Sequence, residues 1–242
     1  MAYKSFFNWS GGKDSALALY HALNDDKYSV ERLSTNVNNQ YRRVSMHGVR
    51  EELVELQAFS IGIPLQKIVL PDQPSMVEYE AQMMQTMVQM QKEGFTHNLF
   101  GDIFLEDLKT YRETQLATAQ MNAVFPLWKR DTTQLVHEFI ELGFKTVVVC
   151  VKAELLDKSF AGRIIDKDFL KDLPPNVDPC GENGEFHTFV FDGPIFKNRI
   201  AFKTGEKVFR EYKAPASKND SRFAAQPLTP LAMGFWFCDL LP

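Results

Sequence analysis

Cysteine is scarce in this 242-residue chain: Cys150, Cys180 and Cys238 stand far apart, with no CxxC pair. An odd, scattered set excludes a disulfide framework and points to a reducing compartment, so the cytoplasm is the expected location. Cys150, Cys180 and His187 do not follow a zinc-ligand spacing either. No run of five or more basic residues occurs and the net charge is −4, which argues against nucleic acid as the partner. Long apolar stretches are also missing. Gly11, Gly12, Lys13 and Asp14 interrupt the only early candidate for a leader or a membrane span, so no membrane association is expected. There is no internal repeat and no low-complexity segment.

What remains is an ordinary globular composition, 45% hydrophobic and 24% charged, with enough length for one core and a small appended lobe. Strand-like and helix-like stretches alternate. Tyr3–Asn8 reads as a buried strand, Ala16–Leu23 as a helix and Val30–Val37 as extended. Val49, Leu53, Leu56 and Ser60 then mark one helical face, closed by Gly62. Pro64 opens a strand reaching Leu70. Met76, Tyr79, Met83, Met87 and Met90 recur at helical spacing, and a core-facing stripe explains them better than a soft-metal surface. Thr96–Phe100 is a strand, Leu105–Met121 a helix, and Val124–Phe125 a brief strand. Asp131 with Gln134 starts a further helix that stops at Gly143. "KTVVVCV" (145–151) reads as a parallel strand buried on both faces.

This rhythm predicts an α/β fold, a parallel sheet with helices on both faces, over residues 1–151. From 152 onward prolines cluster and short β-like pieces follow around 200–203 and 207–212. A smaller α+β lobe is expected over 152–242, with "APASKND" (214–220) as a polar linker before an apolar C-terminal run.

The most informative stretch is "SGGKDS", residues 10–15, between the first strand and the first helix. The first N–H groups of a helix lack partners and carry the positive end of its dipole. Two glycines let the backbone curl around a ligand, Ser10 and Ser15 add hydroxyls, and Lys13 adds a cation. The expected occupant is phosphate. Asp14 would repel it directly, so Mg²⁺ or a hydrogen bond is its expected partner. The stretch fits neither the Walker A loop nor the dinucleotide fingerprint.

Two later constellations join it. "FGDIFLEDLKTYRE" (100–113) sets Asp102 just past the carboxyl end of a predicted strand, the edge where open parallel sheets bind ligands; Arg112 and Glu113 follow on a helix. "DPCGENGEFHTFVFDGP" (178–194) offers Glu182, Asn183, Glu185 and His187 as a polar pocket able to bind an amine, orient ammonia or accept a proton.

The loop resembles the SGGxDS pyrophosphate loop of the ATP pyrophosphatases. With "GDI" and its Tyr-Arg-Glu, "PLW" at 126–128 and the Gly-Glu-x-Gly-Glu-aromatic string, the chain resembles the diphthine–ammonia ligase family from Tyr3 to Pro194. "SMHGVREELVELQAFSIGIPL" (45–65) is similar to that family's helix after the second strand. The resemblance implies an adenine nucleotide α-hydrolase-like (HUP) fold and an ATP-dependent ligase. Such an enzyme adenylates a carboxylate, releases pyrophosphate and AMP, and transfers ammonia.

ATP and Mg²⁺ are then the cofactors. Lys13, Asp14 and Asp102 are the expected catalytic residues, with Asp14 and Asp102 at the metal. Ser10, Gly11, Gly12, Lys13, Asp14 and Ser15 hold pyrophosphate, and Met46 and His47 contact the base. Arg112, Glu113, Glu182, Asn183, Glu185 and His187 face the substrate. The third motif reads "GENGEFH" where the family reads Gly-Glu-Gly-Gly-Glu-Tyr-Glu, which puts Asn183 and His187 where substrate is read. Expected partners are a small-molecule nucleotide, ammonia and a carboxylate acceptor, in the family a modified protein residue; a homo-oligomer is compatible with the sequence. Two alternatives stay open. One is an ATP pyrophosphatase acting on another small molecule or an RNA base; the other is an adenine-nucleotide-binding module without turnover.

Overall fold

The computed structural model describes residues 1–44, 48–71, 74–213 and 232–242; the linker expected at 214–220 lies outside them. The first sheet is built on β1 (Tyr3–Asn8), an apolar strand with β2 (Tyr28–Asn38) on one side and β5 (His97–Leu99) on the other, both parallel to it. Beyond β2 lies β4 (Leu65–Leu70), and beyond β5 lies β6 (Asn122–Val124), again parallel. The two-residue β3 (Arg43–Val44) pairs antiparallel with the end of β2.

Connecting helices are α1 (Lys13–Leu23), α2 (Glu51–Ile61), α3 (Met76–Lys92), α4 (Glu106–Thr118) and α5 (Thr132–Glu141). Their ends follow local chemistry. Ser75 and Glu78 close a reciprocal capping box on α3, Asp131 accepts from Gln134 N–H at 2.8 Å to start α5, and Gly62, at φ +84°, ends α2.

The second sheet runs β8 (Phe186–Asp192), β7 (Lys145–Lys152), β10 (Ala232–Leu241), β9 (Lys203–Lys213), with every pair antiparallel. Short α6 (Lys167–Asp172) lies between β7 and β8. This corrects one expectation. The run at 145–151 is buried on both faces as anticipated, but it is antiparallel and belongs to the second sheet. An apolar run reports burial, and burial alone does not choose the neighbouring strand's direction.

A single core unites the two sheets. Phe7, Leu19 and Leu33 of the first layer share it with Phe139 of α5 and with Val148 and Phe189 of the second sheet. At roughly 1.5–3 kcal/mol for each fully buried large apolar side chain, this seam is a principal stabilising feature. A smaller cluster, including Phe6, Met87, Met90, Phe95 and Leu116, fills the opposite face of the first sheet under α3 and α4. The methionine stripe therefore divides: Met87 and Met90 are core, whereas Met76 is exposed. The α2 face is also rotated from the expected one. Leu56 is 41% exposed, while Gln57, its neighbour, is fully buried.

Candidate active site

The chain leaves β1 at its carboxyl edge and bends through Gly11, at φ +80°, a left-handed conformation that glycine adopts without strain. Gly12 is the N-cap of α1 and supplies no side-chain cap, so the positive end of that helix is presented to whatever lies in front of it. Ser10 Oγ and Ser15 Oγ are 3.0 Å apart, and Ser15 Oγ donates to Gly12 O at 2.9 Å. The hydroxyls thus brace the turn.

The loop is held from outside by residues the sequence reading did not single out. Gln57 Nε2 donates to Gly11 O at 3.0 Å and to Val190 O at 2.6 Å, while its Oε1 accepts from Trp9 Nε1 at 3.0 Å. Val190 N–H donates to Gly11 O at 2.9 Å, and Lys13 N–H donates to Thr188 Oγ1 at 2.9 Å. Strand β8 of the second sheet therefore forms one wall of the turn. Gln57 escaped notice because the apolar periodicity of α2 counts leucines and passes over a buried amide beside them. Thr188 lay within a quoted motif, with no signal for a contact 175 residues away.

The Lys13 side chain is buried. Its ammonium sits 2.7 Å from both carboxylate oxygens of Asp14 and also donates to the Cys180 carbonyl. Burial pulls the ammonium's pKa down, but Asp14 outweighs it and holds Lys13 above its ordinary value. Gly101, just before Asp102, packs directly on this turn: a Cβ there would lie 2.9 Å from Ser15 N and 3.0 Å from Asp14 C.

The third motif folds over the same place. Asp178 caps it, accepting from Cys180 N–H at 2.8 Å and from Thr132 Oγ1 at 2.7 Å. Buried Glu185 accepts from Asp178 N–H at 3.1 Å, Asn183 N–H at 2.9 Å and Asn183 Nδ2 at 3.1 Å. Glu185 and Asn183 thus shape the loop. Glu182 turns toward the second motif, where Oε1 accepts from Ile103 N–H at 2.9 Å. Burial first, and the Asp14 carboxylate second, push Glu182 up to about 7. His187 lies on β8 opposite Cys150 on β7. Cys150 and Cys180 are buried thiols, pushed up to about 12 by desolvation, and among the described residues no group of three or more His, Cys, Asp or Glu could hold a metal ion.

The three motifs therefore converge: residues 10–15, 101–103 and 178–188 meet at the carboxyl edge of the first sheet. Not every expected residue faces the centre of this cluster. Asp102 is gripped by Arg112, with Nε 3.0 Å from Oδ2 and Nη2 3.2 Å from Oδ1. Arg112 also lies 4.3 Å from the centroid of Phe100. Glu113 pairs with Lys109 at 2.8 Å on the outer side of α4. Met46 and His47 lie outside the described residues.

Comparison with known proteins identifies what the chain is similar to. The diphthamide synthase N-terminal domain matches residues 3–116, and the diphthamide synthase C-terminal domain matches residues 131–217. The chain is 25% identical over 235 residues to a diphthine–ammonia ligase of Danio rerio, covering 88% of this chain and 92% of that protein. It is 32% identical over 102 residues to the human protein of that name, 40% of this chain and 38% of the other. With the Schizosaccharomyces pombe protein it shares 28% identity over 109 residues, 42% of this chain and 18% of that longer protein. No described helix is long and apolar enough to cross a membrane.

Proposed function

The chain belongs to the diphthamide synthase family, and from that premise we propose that it is an ATP-dependent amide ligase acting in the manner of diphthine–ammonia ligase. The carrying observation is the uncapped, positively polarised start of α1, curled through Gly11 and roofed by the 178–188 loop.

In this reading Ser10, Gly11, Gly12, Lys13 and Ser15 hold the β and γ phosphates of ATP. A substrate carboxylate attacks the α phosphorus, an acyl adenylate forms and pyrophosphate departs. Lys13 keeps its proton because Asp14 stabilises it, and with the helix terminus it draws charge from the leaving group. Ammonia then attacks the acyl carbon; the C–N bond forms, the C–O bond to AMP breaks, and the proton shed by nitrogen goes to Glu182. A carboxyl that ionises near neutral pH suits that task.

Mg²⁺ binds oxygen ligands and commonly uses one or two carboxylates together with substrate phosphates. Asp14, whose side chain is 30% exposed beside the turn, fits such a shared ion, which would neutralise phosphate charge. Asp102, already paired, would act by fixing Arg112, with any direct contact to the ion arising only on exchange of partners. Asn183 and His187 are the positions assigned to reading the acceptor, which in the named relatives is diphthine.

Incubation with ATP, Mg²⁺, ammonium and a carboxylate should yield AMP and pyrophosphate. Formation of ADP and orthophosphate instead would overturn the proposal. Lys13→Ala should abolish pyrophosphate release while near-native circular dichroism persists.

A further inference from the structure

The second sheet has an open edge. In the order β8, β7, β10, β9 the strand β9 stands last, and among the described residues no strand pairs with its far side. The opposite edge is covered, since Val190 N–H of β8 donates to Gly11 O and Ile200 N–H donates to Phe191 O. β9 runs for 11 residues, "KTGEKVFREYK", without a proline, and residues 206–211 are all exposed. Such an edge carries a row of N–H and C=O groups ready to pair with another strand unless something prevents it. Charge of a single sign is one safeguard, because two like edges then repel. Here both signs are present, and among the described residues Glu206, Arg210 and Glu211 form no ion pair.

We infer that β9 pairs antiparallel with β9 of a second copy of this chain, about a two-fold axis at Val208. Charge and strand length select this occupant and this register. Val208 is the midpoint of β9, so the whole strand is used. Residues opposed across such an axis share a face of the sheet. Glu206 of each copy then meets Arg210 of the other, and Val208, 36% exposed, meets its own counterpart. On the other face Lys207 of each copy meets Phe209 of the other, an ammonium against a ring that is 45% exposed. Like charges meet only at the ends, where Lys203 faces Lys213. Moving the axis to Lys207 sets two ammonium groups against each other, and moving it to Phe209 leaves Lys203 and Thr204 unpaired. Two four-stranded sheets become one continuous sheet. Because both copies use the same edge, the assembly closes at two. The turn at 10–15 lies against β8, at the far end of each sheet, so it stays open. This pairing does not depend on the ligase reading.

Glu206→Arg and Arg210→Glu, made in the whole chain, decide it. Both positions are exposed, so circular dichroism should be unchanged. Each substitution sets like charges against each other twice. Within one strand the two positions lie roughly 13 Å apart, too far to pair inside a single chain. Sedimentation velocity across a dilution series at low salt should show a dimer of the unaltered chain, with association at least about tenfold weaker in either variant. Mixing the two variants in equal amounts should restore the dimer, since every Arg then faces a Glu, and native mass spectrometry identifies it by its mixed mass. Hydrogen exchange should slow at alternate amides of β9 as concentration rises. The proposal falls if the unaltered chain is a monomer throughout, if both variants associate as tightly as it does, or if the mixture associates no better than either variant alone. A dimer whose β9 amides stay unprotected uses another surface and overturns it equally. Should a variant fail to fold, the exchange pattern of the unaltered chain decides. Pyrophosphate release is unaffected by any of these outcomes and tests the ligase reading separately.

Discussion

Gln57 is the side chain on which the turn at Gly11 depends most visibly. One amide joins Trp9, Gly11 and Val190, all inside the core. Gln57→Leu keeps the volume but takes the partner from Trp9 Nε1 and from Val190 O, while Gly11 O keeps Val190 N–H, so it should cost roughly 2 kcal/mol of stability, measured by urea denaturation, and weaken ATP binding in parallel. Gly101→Ala tests the neighbouring contact. Its methyl would press on the backbone of Ser15 and Asp14, and backbone yields less readily than a side chain, so nucleotide affinity should fall even where the fold survives. Glu182 gives a pH prediction. Its carboxyl loses its proton near pH 7, so at constant free ammonia the amide-forming rate should rise through that region, and Glu182→Gln should flatten the rise. The same raised value favours the protonated form in the fold: stability is fully present below the usual 4.5 and declines as pH climbs toward 7. At this scale the sequence was informative about chemistry and silent about support. The letters of 10–15 suggest the proposed phosphate cradle because glycine, serine and lysine act locally. Gln57 and Thr188 matter only through partners far along the chain, and no local pattern encodes them.

Among the elements, the helices were the most legible. Periodicity and punctuation located α2, α3 and α5 because caps and left-handed glycines are local devices. The capping box of α3 makes this quantitative: Glu78 N–H donates to Ser75 Oγ at 3.2 Å and Ser75 N–H to Glu78 Oε2 at 2.9 Å. Ser75→Ala should cost about 1 kcal/mol, seen as faster hydrogen exchange in the first turn of α3, with catalysis unaffected. Strands were less legible. The parallel order around β1 followed from alternation with helices, whereas β7 has the composition of a central parallel strand and sits in an antiparallel sheet. Pairing direction is set by the chain that returns beside it, here β8 and β10, and that information is not in the strand.

At the scale of the whole molecule, the last strand is fastened to the first sheet by charge. Asp239 of β10 meets Arg43 at 2.9 Å and Arg50 at 2.7 Å. Burial opposes its charge, but the two guanidinium groups outweigh that and bring Asp239 down to about 2. A carboxylate lowered in this way stabilises the fold above its usual 3.8 and loses the effect as pH falls toward 2. Asp239→Asn should therefore cost about 1–2 kcal/mol at pH 7, after allowance for partial exposure, and almost nothing at pH 2, as thermal unfolding at both values would reveal. The convergence of three motifs was anticipated as chemistry, but the distance between them was not, since it depends on how β8 crosses to the first sheet.

That crossing has a temporal consequence. Residues 10–15 emerge early during synthesis, yet Lys13 N–H finds its acceptor in Thr188 Oγ1, and Gly11 O, which Gln57 also reaches, gains its backbone donor from Val190. A nascent polypeptide halted before β8 would carry every letter of the cradle without its far wall. Competence to grip a triphosphate should thus arrive late on the ribosome, which guards a half-made enzyme against capturing nucleotide it has no means to use.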